Sequence, residues 1–228
     1  MPTDILYRFR FADHSEDAVR VGTADGAHLS TPAGYQPPAW AQLAHHQCSH
    51  CPLDTGLQRW CPVAVNIAYV FEQIRPGRSF TPVTLTVDTA LRSYHAETTL
   101  QRALSSLFGL VCALSDCPHT APLYPMARFH LPLASDTETF VRVLSMTLLR
   151  LHLLQQPGAQ AVAELELLYR NLNQLNRSLA RRLGSQSEGE PAANAVVLLD
   201  VLARDVTVEL TDQLPSLREM FGITSPPA

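Results

Sequence analysis

From Cys48 to Pro62 the chain reads C-S-H-C-P-L-D-T-G-L-Q-R-W-C-P: three thiols in fifteen residues, two of them followed at once by proline. A further Cys-Pro pair, Cys117-Pro118, lies well downstream. Thiolates serve a metal centre only when they converge from several directions. Four cysteines in this pattern suggest such a centre, and a shared centre would tie two distant parts of the chain to one point.

The rest of the composition narrows the chemistry. All 17 of the Lys and Arg residues are arginine. Without lysine there is no Schiff-base amine, no Walker A lysine and no Ser-x-x-Lys hydrolase. Gly-x-Gly-x-x-Gly is also missing from the sequence, which argues against the usual dinucleotide fingerprint. A net charge of −4 offers nothing to phosphate backbones or anionic lipid, so neither nucleic acid nor membrane is expected as a partner. The longest apolar region, Phe140 to Leu154, is broken by Arg142, Arg150 and His152, and the N-terminus lacks an apolar signal core. A cytoplasmic protein is expected. In that reducing compartment the five cysteines read as thiols or ligands rather than as disulfides.

Periodicity predicts an α+β fold. Ile5, Tyr7, Phe9 and Phe11 alternate with charged residues as in a half-buried strand, and Ala18 to Val21 is its partner across His14-Ser15-Glu16-Asp17. Thr31 to Pro38 reads as an irregular crossing segment. Pro62 suits the first position of a helix carrying Val63, Ile67, Val70, Phe71 and Ile74 on one face and ending at Pro76-Gly77. That places Cys61 at the N-terminal cap, where unpaired N–H groups favour a thiolate. Val83, Leu85 and Val87 with Leu91 to Thr98 form a second hairpin. Thr98 and Gln101 have capping-box spacing ahead of a helix bearing Leu100, Leu104, Leu107, Phe108 and Val111, which delivers the chain to Cys117.

Four prolines between residues 118 and 134 predict a loop. Ser135 and Glu138 cap a helix reaching about Gln155, apolar on most sides and therefore expected to be central. Leu165, Leu168, Leu172, Leu175 and Leu179 mark a long amphipathic helix, with Arg181 and Arg182 in its last turn. Ser185 to Pro191 reads as a hinge, Ala192 to about Arg204 and Thr211 to Met220 as further helices, and the tail from Ser225 as loose. The expected whole is a single domain of residues 1–228. Its first part, 1–134, carries about four strands in antiparallel hairpins packed with helices, and its second, 135–224, is helical and could contact a protein partner or a second copy.

The candidate ligands are Cys48, Cys51, Cys61 and Cys117. Proline after three of the four favours a 4Fe-4S cluster; zinc takes four thiolates equally well, and buried hydrophobic thiols are the alternative without metal. Cys112, four residues after Phe108 on an apolar face and without a proline, reads as such a core thiol. His45, His46, His50 and His119 could replace a thiolate or remain solvated loop residues. Arg128 and His130 could support the centre from outside it. His95-Ala96-Glu97 resembles half of a zinc-deaminase signature, but the Pro-Cys-x-x-Cys that should follow is missing.

The set H-Q-C-S-H-C-P-L, W-C-P-V-A, D-C-P-H and P-M-A-R-F-H-L-P resembles an uncharacterised bacterial family of domains of unknown function, over nearly the whole chain. The resemblance implies counterparts for Cys48, Cys51, Cys61 and Cys117 and none for Cys112; it implies no activity. The expected role is a metal-binding protein with four cysteine ligands and a structural or redox-sensing task. The alternatives are a structural zinc module for protein interaction, an enzyme using the metal or Cys117 with His119, and a ligand-binding regulator without metal.

Overall fold

A computed structural model describes residues 4–22, 29, 31–184, 190–212 and 214–223, with the side chains of 206–216 excepted. The alternating strands form as expected: β1 (Asp4–Arg10), β2 (Glu16–Gly22), β3 (Pro82–Asp88) and β4 (Ser93–Thr99). The two hairpins are not separate. β1 also pairs antiparallel with β3, Tyr7 opposite Val87 and Phe9 opposite Leu85, to give one sheet in the order β2-β1-β3-β4. This register puts Ile5, Tyr7, Phe9, Val19, Val21, Val83, Leu85 and Val87 in the core. The opposite face carries polar cross-strand pairs: Arg8 with Asp88, Thr84 with Glu97 and Thr86 with His95.

The buried face of the sheet packs in one core with α1 (Pro62–Phe71) and α2 (Leu100–Ala113). α1 ends at Phe71, short of Pro76-Gly77, and beyond it Arg75 binds Asp17 of β2 through its backbone N–H (2.8 Å) and its guanidinium. The capping box expected at Thr98 and Gln101 does not form. β4 runs directly into α2, whose cap is Thr99 without a side-chain bond. The N–H groups of Leu100 and Gln101 donate instead to the carbonyls of Thr81 and Ser79, so the helix start is satisfied by the loop before β3.

Residues 118–134 are not a plain loop. A 3₁₀ turn (Ala121–Leu123) and α3 (Tyr124–Arg128) each place a proline, Pro122 and Pro125, in the first turn, where the missing N–H is harmless. α4 (Asp136–Leu153) has the expected capping box between Ser135 and Glu138. It is not central, however: only Phe140, Val143 and Leu151 are buried, while Leu148, Leu149 and Leu153 are 41%, 58% and 73% exposed.

The leucine stripe of α5 (Ala161–Gly184) turns inward. Leu175, Leu179 and Leu183 join the core under the sheet together with Ala192, Ala195 and Val196 of α6 (Glu190–Asp212). Leu165, Tyr169 and Leu172 form a second core with Phe140 and Val143 of α4, Ala203 of α6 and Leu217 of α7 (Leu214–Met220). Most of the hinge expected at 185–191, and the tail from Ser225, lie outside the described residues. Among the described residues no helix is long and apolar enough to cross a membrane.

His130, grouped with the metal site on sequence grounds, is engaged with the sheet. Its Nε2 lies 2.5 Å from the Tyr7 hydroxyl, which is also 3.0 Å from Ser106 Oγ of α2. Burial, with a lesser push from Arg142, drops its pKa to about 3. A histidine whose folded pKa is depressed stabilises the fold above its unfolded pKa and loses that contribution as pH falls toward the folded value. Stability in urea is therefore expected to fall by up to about 2 kcal/mol between pH 6.5 and 5, and His130→Gln is expected to remove most of that slope.

Candidate metal centre

The four expected ligands lie on three separate segments that hydrogen bonds and packing link to one another. The cysteine loop is closed at its base by an isolated antiparallel bridge between Gln42 and Trp60. Leu43 N–H donates to the Arg59 carbonyl (2.8 Å) and Cys61 N–H to the Ala41 carbonyl (3.0 Å). At the other end of the loop, Cys51 N–H donates to the Cys48 carbonyl (3.0 Å), a tight turn that sets these two residues side by side.

Cys61 caps α1 with extended backbone, and Pro62 occupies the first helical position as the sequence indicates. One turn on, the Asn66 side chain donates to Ser115 Oγ (3.0 Å), and Ser115 Oγ donates to the Val111 carbonyl (2.7 Å). All three residues are buried. This bond holds the start of α1 against the end of α2 and so carries Cys61 toward Cys117. The turn at Cys117 is fixed in its own right: the N–H groups of Thr120 and Ala121 both donate to its carbonyl (3.0 Å each).

His119 completes the closure. Its Nε2 lies 3.0 Å from the His50 carbonyl, and the two imidazoles lie 4.0 Å apart at 30°. The residue two beyond Cys117 thus touches the residue just before Cys51. Cys117 is buried in the core under the sheet, and Cys48 and Cys61 pack against that same core. All five cysteines are free thiols.

The electrostatics describe one interacting group. Burial raises the pKa of Cys48, of Cys61 and of Cys117, the last to about 11. Cys48 is further opposed by charge on Cys61 and Cys51, Cys61 by Cys51, and Cys117 by Cys61 and Cys48. The expected help from the helix start is present, since the N–H groups of Ala64 and Val63 favour the Cys61 thiolate, but burial outweighs it and the thiol form is favoured. Without a cation these three sulfurs are protonated at neutral pH.

Among the described residues, no three His, Cys, Asp or Glu side chains stand in an arrangement that holds a metal ion. Tetrahedral zinc draws its sulfurs to roughly 3.8 Å of one another, given Zn–S bonds of about 2.3 Å. Cluster thiolates stand farther apart, because iron and sulfide lie between them. Of the four expected ligands Cys117 is buried, and Cys48, Cys51 and Cys61 are half-buried.

The histidines divide. His46 is exposed and held at φ 47°, its ring 4.7 Å from that of His45. Nε2 of His45 is sealed from solvent with no hydrogen-bond partner among the described residues, and the ring of His50 lies by the Asn171 backbone. Cys112 is buried and packs in the core. Arg128 lies in the last turn of α3.

The residue that sequence reasoning missed is Arg182. It is only 2% exposed, among the largest fully buried side chains. Its Nη1 donates to the carbonyls of Trp40 (2.8 Å) and Gln42 (2.6 Å), and its Nη2 to that of Leu43 (3.2 Å). The same cation favours the thiolates of Cys48 and Cys61. Its position was legible as the next step of the stripe, three residues beyond Leu179, but a basic residue in a last turn reads first as a surface partner of the helix dipole.

A protein-family model described as a domain of unknown function (DUF6901) matches residues 5–222. No curated protein and no solved structure matches the chain.

Removing the guanidinium strands three carbonyls in the interior. Arg182→Leu is expected to lower unfolding free energy by about 3 kcal/mol or more in urea titrations. Arg181→Leu, at an exposed neighbouring position, should stay within about 0.5 kcal/mol.

Proposed function

We propose that this chain, which belongs to the DUF6901 family, is a metal-binding protein with four cysteine ligands, whose centre is a 4Fe-4S cluster with a structural or redox-sensing role. What supports the reading is the electrostatic coupling that links Cys48, Cys51, Cys61 and Cys117 in pairs. Three segments, closed by the Asn66–Ser115 bond and the His50–His119 contact, lead to one set of mutually interacting free thiols. Buried sulfurs that repel one another when ionised gain stability from a cation that takes them as thiolates.

Arg182 supports the same reading. A cation beside the sulfurs lowers the net charge of a thiolate-ligated cluster, and cluster potentials depend on net charge and burial. Bound there, a cluster would supply a one-electron couple. The chain's own residues hold the sulfurs, and His50 and His119 cover the loop on the side where Cys117 meets it. A cytoplasmic setting belongs to the proposal, because free thiols and clusters both persist in a reducing compartment.

Protein expressed and purified without air is expected to be brown and to contain iron and acid-labile sulfide. Changing any one of Cys48, Cys51, Cys61 or Cys117 to Ser should cut bound iron by about tenfold, whereas Cys112→Ser should not. Colourless protein with about one zinc per chain would replace the cluster by a structural zinc site. Protein free of both metals would overturn the proposal.

A further inference from the structure

A cavity of about 430 Å³ lies on the other side of α2, between that helix, the 120–134 segment, α4, α5 and α6. Its volume falls within the roughly 300–1,000 Å³ of small-molecule sites. Its walls are mainly apolar, with Leu123, Met126, Leu131, Leu172, Leu175 and Leu199 among them.

Two polar groups distinguish one part of this wall. Tyr169 lines the cavity and is only 4% exposed, yet among the described residues nothing hydrogen-bonds to its hydroxyl. A buried phenol normally finds a partner. Arg142, one of the cavity residues and close enough to act electrostatically on Tyr169, donates through Nη2 to the carbonyls of Met126 (3.3 Å) and Phe129 (2.5 Å). Among the described residues no carboxylate forms an ion pair with it; Glu138, one turn away, acts on it through space but is held by Ser135. The other charged residues at the cavity, Arg102, Asp136 and Asp205, are exposed or only part-buried.

A half-buried guanidinium that forms no ion pair among the described residues, beside a buried hydroxyl with no hydrogen-bond partner among them, in a mainly apolar chamber, suits a ligand with one anionic end and an apolar body. We propose that this cavity binds a small amphipathic carboxylate of the fatty-acid type, its carboxylate on Arg142 and Tyr169 and its alkyl chain along the leucine walls. The site is separate from the cysteines and independent of their metal. An Arg-carboxylate bond is charge-assisted, so the anionic end sets selectivity while apolar burial supplies most of the affinity.

Calorimetric titration of the full chain with decanoate and with decan-1-ol tests this. Decanoate is expected to bind saturably and about tenfold or more tightly than the alcohol. Arg142→Gln should erase that preference, and Tyr169→Phe should weaken decanoate about threefold or more, with little effect on the alcohol. Arg142→Gln also frees two carbonyls; if it fails to fold, Tyr169→Phe decides alone, because the oxygen it removes bonds to nothing among the described residues. No decanoate binding, equal binding of acid and alcohol, or folded variants that bind decanoate like the unaltered chain would each overturn the proposal.

Discussion

A guanidinium buried among backbone carbonyls joins the helical half of this protein to its cysteine loop. Arg182 reaches from the last turns of α5 to Trp40, Gln42 and Leu43, the residues that lead into the loop. Burying a charge is costly unless its donors are satisfied, and here three carbonyl oxygens accept from it. They supply partial charges only. The cation also acts on Cys48 and Cys61, where it favours the ionised form, and on His45, where it opposes protonation. The same side chain that pins the loop thus also compensates part of the burial that keeps these sulfurs protonated.

The second organising element is α2, which separates two chemically different environments. Beyond its C-terminal end lie Cys117 and the cysteine loop. Along its flank lies the apolar cavity, bounded by Gly109, Leu110 and Cys112. Gly109 has room there, since a methyl group at that position would make ordinary contact with Leu199. Cys112 borders the cavity and also feels charge on Cys117 and Cys61, so it stands in the wall between the two sites. Its thiol is driven far up by burial, as befits a packing residue.

Much of this was legible in the sequence, because short-range rules decide it. Alternation marked β1 and β3, turns placed β2 and β4 as their hairpin partners, and Ser135 with Glu138 marked a true capping box. What was not legible depended on distant neighbours. The hairpins merge because Tyr7 and Phe9 meet Val87 and Leu85 across a long separation. Thr98 and Gln101 have the right spacing but no function, since Thr81 and Ser79 already satisfy the helix start. α4 reads as central by composition, yet α5 and α6 take the interior and leave Leu149 and Leu153 outside. At the cysteines only the candidate pattern could be read. Arg182 could not, because its role lies in carbonyls some 140 residues away along the chain.

The account rests on Cys117 sharing one location with Cys48, Cys51 and Cys61, a claim that can be tested without any metal. Mild oxidation of the metal-free, folded protein, followed by peptide mapping in the mass spectrometer, reads which sulfurs can reach each other. The expected result is an intramolecular disulfide joining the Cys117 peptide to the 48–61 loop. Cys117 remaining a free thiol, or bonding only to a second molecule, while the loop cysteines pair among themselves would contradict it.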